Sequence, residues 1–207
     1  MRRRAALLGI IFALAAGAAA DAAEPRPHYI PTRDVSVAYR VKGRTVQNIR
    51  AFQVRFAAAS RRLRVETDDT GMGSLLVDVR ARRAMIVIPG LAQHVEIPLL
   101  RDRRASMLFN DRLDFTRRGE QRIAGHACRL WDVRSGRDRA RMCLTADGVL
   151  LRFEGTGGEV VGTAFEASAV TYAAQPAALF HAPAGGDALR LPDLFTPAPR
   201  SQAPRAP

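Results

Sequence analysis

The chain has 207 residues, 47% of them hydrophobic and 25% charged, the balance of one globular domain with appendages and not of a disordered or fibrous chain. Its formal charge is +12, from 32 basic and 20 acidic residues, and Lys42 is the only lysine among them. Two cysteines exclude a disulfide-dense miniprotein and a four-cysteine zinc ribbon.

The amino end reads as a secretory signal peptide over residues 1–20. Arg2, Arg3 and Arg4 make the charged start, Ala5 to Ala16 the apolar run, and Ala18, Ala19 and Ala20 the small residues before a cleavage point. The apolar run is shorter than the roughly 20 residues a membrane-spanning helix needs. Removal of the segment lowers the formal charge from +12 to +9, and the product is expected to be periplasmic or secreted. A basic cytoplasmic protein of this kind would suggest nucleic acid. In an exported one, an anionic membrane surface or cell-envelope polymers are the acidic partners to expect. The arginines are scattered, so a compositional bias is the stronger account of the charge.

Strict alternation marks the first strand at residues 35–41, with Val35, Val37, Tyr39 and Val41 on one face. The pattern recurs at Phe52, Val54 and Phe56, at Leu63 and Val65, and at Leu75, Val77 and Val79. The run Ala84 to Ile88 is apolar on both faces, as in a strand covered on both sides, and Leu91 to Ile97 follows the Pro89-Gly90 break. Short strands separated by turn signals imply an antiparallel sheet, sandwich or barrel. Residues 99–112 lack Gly and Pro and are rich in helix formers, which predicts a short helix. Residues 186–207 are Gly- and Pro-rich and read as a disordered tail, leaving residues 21–185 as a single β-rich domain.

The region 126–154 is the most strongly patterned. A hairpin turning at Ser135-Gly136 sets Cys128 opposite Cys143, within disulfide reach. In an oxidising compartment a disulfide is expected, and closing that loop contributes roughly 3 kcal/mol in the chain-entropy view. A second turn, Asp147-Gly148, suits a two-residue hairpin loop. The two hairpins together collect Trp131, Val133, Ala140, Met142, Leu144, Val149, Leu151 and Phe153 on one face. Asp132, Arg139, Arg141, Arg152 and Glu154 gather with the cysteines on the other, with Asp132 facing Arg139 and Arg141 facing Glu154.

No catalytic constellation stands out. Asp69-Thr70-Gly71 has the core of an aspartic-protease motif, but Glu66-Thr67-Asp68 precedes it where an apolar strand is needed, so an exposed turn is the better reading. Ser74 lacks the strand-to-helix setting of a nucleophile elbow. His126 shares a face with both cysteines, but a metal site there wants a further ligand. The glycines of residues 155–162 do not form a dinucleotide fingerprint. The expectation is a protein that is not an enzyme, with no metal and no cofactor.

The runs Pro31-Thr32-Arg33-Asp34-Val35, Ile123-Ala124-Gly125-His126-Ala127-Cys128, Cys143-Leu144-Thr145-Ala146-Asp147-Gly148-Val149 and Leu179-Phe180-His181-Ala182-Pro183 together resemble a group of uncharacterised exported bacterial proteins. That group is similar to the LolA/LolB-type lipoprotein carriers. The resemblance implies an incompletely closed antiparallel barrel with helices over its mouth, and it carries over no functional residue.

The expected architecture is therefore mainly β: a curved antiparallel sheet or incompletely closed barrel with one or two short helices. The expected function is non-catalytic binding of a lipid or other apolar ligand in the sheet concavity. Tyr39, Phe52, Phe56, Trp131, Met142 and Phe153 are the candidate ligand face. The competing expectation is a structural or protein-interaction domain of the cell envelope, its concavity filled by core side chains.

Overall fold

The computed structural model describes residues 26–43, 49–69, 71, 73–88, 94–97, 113–181 and 188–190. The signal segment and the helix expected over 99–112 lie outside them. The described strands are β1 (Val35–Val41), β2 (Ala51–Ala57), β3 (Arg62–Thr67), β4 (Ser74–Asp78), β5 (Arg83–Val87), β6 (His94–Ile97), β7 (Asp114–Ile123), β8 (His126–Ser135), β9 (Asp138–Leu144), β10 (Leu150–Gly157), β11 (Ala164–Thr171) and β12 (Ala188–Arg190). They form one sheet in the order β12-β6-β5-β4-β3-β2-β1-β11-β10-β9-β8-β7. Two meanders, β1 to β6 and β7 to β11, meet where β1 pairs antiparallel with β11. The sheet is open, with β12 at one end and β7 at the other. Helical structure in the described residues amounts to short 3-10 turns, among them Gly158–Val160 and Ala177–Phe180.

The sheet curls strongly through its second meander. β7 and β1 have four strands between them, which at about 4.8 Å per strand would hold them more than 20 Å apart in a flat sheet. Yet Ile123 of β7 packs in one core with Val35, Val37 and Tyr39 of β1, the two cysteines, Val149 and Leu151. A second core on the opposite side of the β7–β10 sheet joins Leu113, Trp131, Val133, Ala140, Met142, Leu144, Phe153 and Val160. The amino-terminal strap lies against it, with Tyr29 packed on the cluster and Arg26 donating from Nη2 to the Leu113 carbonyl at 2.7 Å. Phe165 of β11 packs against both cores.

The hairpin registers amend the sequence reading in two places. β8 and β9 turn through Gly136-Arg137, so that Ser135 pairs with Asp138 and Leu130, not Cys128, is the partner of Cys143. Gly136 has φ of 58° at the first central position of the loop, the placement of a type II′ turn. This slides the expected register by two residues, which preserves both faces, and the cysteines still bond diagonally with their Cα atoms 5.4 Å apart. Asp132 now faces Arg141, and Arg139 faces Arg134.

The second loop holds three residues rather than two. Gly148 N–H donates to the Thr145 carbonyl at 3.1 Å, Thr145 N–H donates to the Val149 carbonyl at 2.9 Å, and Gly148 has φ of 89°. That is the turn-plus-bulge geometry of a three-residue hairpin loop. The pairing expected between Arg141 and Glu154 holds, but an irregularity between Leu150 and Arg152 shifts the ladder. Val149 and Leu151 therefore join the disulfide-side core, while Leu150 and Phe153 pack with Trp131.

The tail expectation is amended at three residues: Ala188–Arg190 pairs parallel with His94–Glu96 at the edge of the sheet. Composition suggested no strand there, because so short a pairing needs only backbone groups and an open edge.

Candidate functional site

Two of the four motif segments meet at Asp147, in the β9–β10 loop, and a third borders them through His126 on the Tyr172 ring. Thr145 Oγ1 donates to Asp147 Oδ1 at 2.5 Å, the Tyr172 hydroxyl donates to the same oxygen at 3.1 Å, and Arg33 Nε donates to Oδ2 at 3.1 Å. Thr32 N–H donates to the Asp147 carbonyl at 2.9 Å. The Arg33 guanidinium lies over the Tyr172 ring, 4.1 Å from its centroid, and His126 meets the same ring edge-on at 5.8 Å. Burial disfavours the Asp147 carboxylate, but the hydrogen bonds from Thr145, Arg33 and Tyr172 outweigh it and hold the group below the ordinary carboxylate range. The Tyr172 hydroxyl is pushed up by burial and by the neighbouring Asp147 charge.

The neighbouring Asp34 accepts from Ala58 N–H at 2.7 Å and from Gln175 N–H at 3.0 Å. These carboxylates have their oxygens occupied by donors, so the cluster is a clamp. It fixes the amino-terminal strap, the hairpin loop and the segment after β11 to one another. The fourth motif segment lies elsewhere: Phe180 is buried beside β3, where the Leu179 carbonyl accepts from Arg64 Nη1 at 3.1 Å.

The candidate apolar face divides between the two cores. Tyr39 (5% exposed) and Phe56 (2%) lie in the first, and Trp131 (3%), Met142 (2%) and Phe153 (3%) in the second. Phe52 is half-buried and stacks on Tyr39 at 4.8 Å. Phe165, which periodicity did not single out, meets Tyr39, Phe52 and Phe153 at 5.2 to 5.3 Å and joins those three into one aromatic row. The Tyr39 hydroxyl donates to the Leu150 carbonyl at 2.6 Å, and burial pushes its pKa up. Trp131 Nε1 is buried without a hydrogen-bond partner among the described residues.

Among the surface depressions formed by described residues are three that none of the six candidate residues lines. One of about 520 Å³ lies between the strap at Pro27 to Thr32 and the turns carrying Arg61 and Arg80. Another of about 290 Å³ lies under Phe180 and His181, against β3, β4 and β5. A third, of about 370 Å³, sits on the charged face of β7–β10 between Arg118, Arg134, Arg139 and Arg141, with Thr116, Thr156 and Asp132 beside them.

Asp132 in that basin accepts from Arg118 Nε at 2.6 Å and from Arg141 Nε at 3.3 Å. Desolvation raises the Asp132 pKa, but the two arginines outweigh it and lower the net value. A bulge between Arg117 and Gly119 aims Arg118 at this face. Sequence patterning missed β7 because only Phe115 and Ile123 on it are apolar, and most of its residues are exposed at the sheet edge.

Asp69 caps its own turn by accepting from Gly71 N–H at 3.0 Å, as an exposed Asx-type turn does. Cys128 and Cys143 are joined to each other, which removes both as metal ligands beside His126. Among the described residues no group of three or more His, Cys, Asp and Glu gathers to hold a metal.

No protein-family profile matches the sequence, and no curated protein matches it. Solved structures do share its fold. The chain is similar to MucB, at a TM-score of 0.50 and 18% identity, over 75% of this chain and 59% of the MucB chain. The Pseudomonas aeruginosa MucA/MucB complex aligns at a TM-score of 0.48 and 18% identity, over 72% of this chain and 55% of that one. PNGF-II aligns at a TM-score of 0.50 and 10% identity, over 76% of this chain and 31% of its own. The chain thus spans under two thirds of the length of these neighbours, and at such identities the likeness concerns the fold.

Proposed function

We propose that the chain is an exported, non-catalytic domain of the cell envelope that binds a protein partner, after removal of residues 1–20. The observation that carries this reading is the position of the candidate apolar side chains. Tyr39 and Phe56 in one core and Trp131, Met142 and Phe153 in the other are 5% exposed or less, as in a filled interior, and none of them lines a described depression that an acyl chain could enter. The fold it shares with MucB supports the same reading, since MucB is itself found in complex with MucA(peri). The buried disulfide fits an oxidising compartment.

The test is made in cells that export the full chain. A photo-crosslinking residue is placed in turn at the exposed positions Arg40, Arg139 and Val161, and the purified protein is extracted for lipid analysis by mass spectrometry. A discrete protein adduct at one or more positions, without stoichiometric lipid, is the expected result. One lipid per chain with no protein adduct would replace this reading by the lipid-carrier one.

A further inference from the structure

On the basis of that protein-binding reading, we propose that the basin on the charged face of β7–β10 docks an acidic, extended segment of the partner. Arg118, Arg134, Arg139 and Arg141 line it, and the one carboxylate within it, Asp132, is already shared between Arg118 and Arg141. Arg134 and Arg139 are direct cross-strand partners, an arrangement of like charges that destabilises a sheet when nothing lies between them. Neither makes an ion pair among the described residues. The carboxylate beside them in the hairpin, Asp138, is turned inward and accepts from Glu159 N–H at 2.7 Å.

The geometry selects the kind of anion. Arginine forks suit carboxylates as well as phosphates, and the pair already formed on Asp132 shows a carboxylate held by two guanidinium groups. Alternate residues along a strand lie nearly 7 Å apart, and neighbouring strands about 4.8 Å. An extended peptide with carboxylates at every second position repeats the spacing of Arg139 and Arg141. The hydroxyls of Thr116 and Thr156 at the rim can serve its backbone. An anionic membrane would be met by a basic surface with apolar side chains to insert. The exposed large hydrophobic residue among those described, Val161 at 58%, lies outside the basin.

The proposal is tested on the exported, disulfide-bonded chain by fluorescence anisotropy. The probes are a labelled twelve-residue peptide alternating Glu and Ser, its Gln-for-Glu counterpart, and vesicles of phosphatidylglycerol and phosphatidylcholine. Expected are saturable binding of the Glu peptide and none of the Gln peptide, with affinity falling as salt rises. Arg134→Gln with Arg139→Gln should weaken binding by about tenfold or more. The equal-charge control, Arg61→Gln with Arg80→Gln, should leave it within about twofold. A similar loss in both double variants would show attraction to net charge alone and overturn the site. Arginine-dependent binding of the vesicles in preference to the peptide would assign the basin to a membrane and overturn it too. If the peptide fails to bind while cross-linking at Val161 still captures a partner, the basin falls and the protein-binding reading stands.

Discussion

A single carboxylate, Asp147, ties three segments that are more than twenty residues apart in sequence, and its protonation state is part of the fold. Three side-chain donors outweigh its partial burial and keep it ionised below the usual range. Asp78, held by Ala81 N–H and Arg62, and Glu166, held by Lys42 and Arg152, are lowered in the same way. A group whose folded pKa is depressed stabilises the protein fully above its unfolded value, near 4, and loses that contribution as pH falls through the folded value. Asp147→Asn puts an amide donor against Thr145, Tyr172 or Arg33. It is expected to destabilise the chain by about 1–3 kcal/mol at pH 7 and to make the stability loss between about pH 5 and pH 3 shallower than in the parent. Urea unfolding at several pH values, read by Trp131 emission, measures both. An unchanged acid slope would mean that Asp147 is no more tightly held folded than unfolded.

The hairpins show why some of the architecture is legible in the order of residues and some is not. Alternation in β1, β2 and β3 and the apolar run of β5 mark real strands, because apolar residues of each pack fully or partly buried against the cores and the pattern reports that packing. The faces of β8 and β9 are also correct, since a slip of two residues leaves alternation intact. What alternation cannot encode is loop length and bulges. The third residue of the Asp147-Gly148 loop and the irregularity near Leu151 moved Val149 and Leu151 to the other core. The basin was half visible, in Arg139, Arg141 and Asp132; Arg118 depends on a bulge in an edge strand that carries almost no hydrophobic signal. Gly148 tests the loop. Its φ is +89°, and a Cβ there would lie 2.5 Å from the Ile30 carbonyl of the strap. Gly136 has φ of +58° and open space around it. Gly136→Ala should therefore cost only the left-handed strain, about 1–2 kcal/mol, whereas Gly148→Ala adds displacement of the strap and should cost more, about 3 kcal/mol or above. Equal losses in chemical denaturation would show that the strap does not press on the loop.

Taken whole, the molecule is an open sheet with two differently protected edges. β7 is long, exposed and charged, and it is bulged at Arg117 and Gly119, features that discourage pairing with another chain. β6 is only four residues long and carries β12 on its outer side in parallel. Composition argues that everything after Gly186 is dispensable, because Gly and Pro cannot repay their ordering entropy. The backbone pairing of Ala188–Arg190 argues otherwise, since removing it leaves the outer amides and carbonyls of β6 to water. Each such bond contributes about 0.5–1.5 kcal/mol net, and a loss of about 1 kcal/mol lowers the midpoint of a chain this size by about 2–4 °C. Truncation after Gly185 is thus expected to lower the thermal midpoint by a few degrees. It should also raise amide exchange at the outward-facing amides of His94–Ile97 while leaving β8 and β9 protected, because local opening at an edge need not spread to a disulfide-tied core. A midpoint and an exchange pattern both unchanged would return the whole tail to the role its composition suggests.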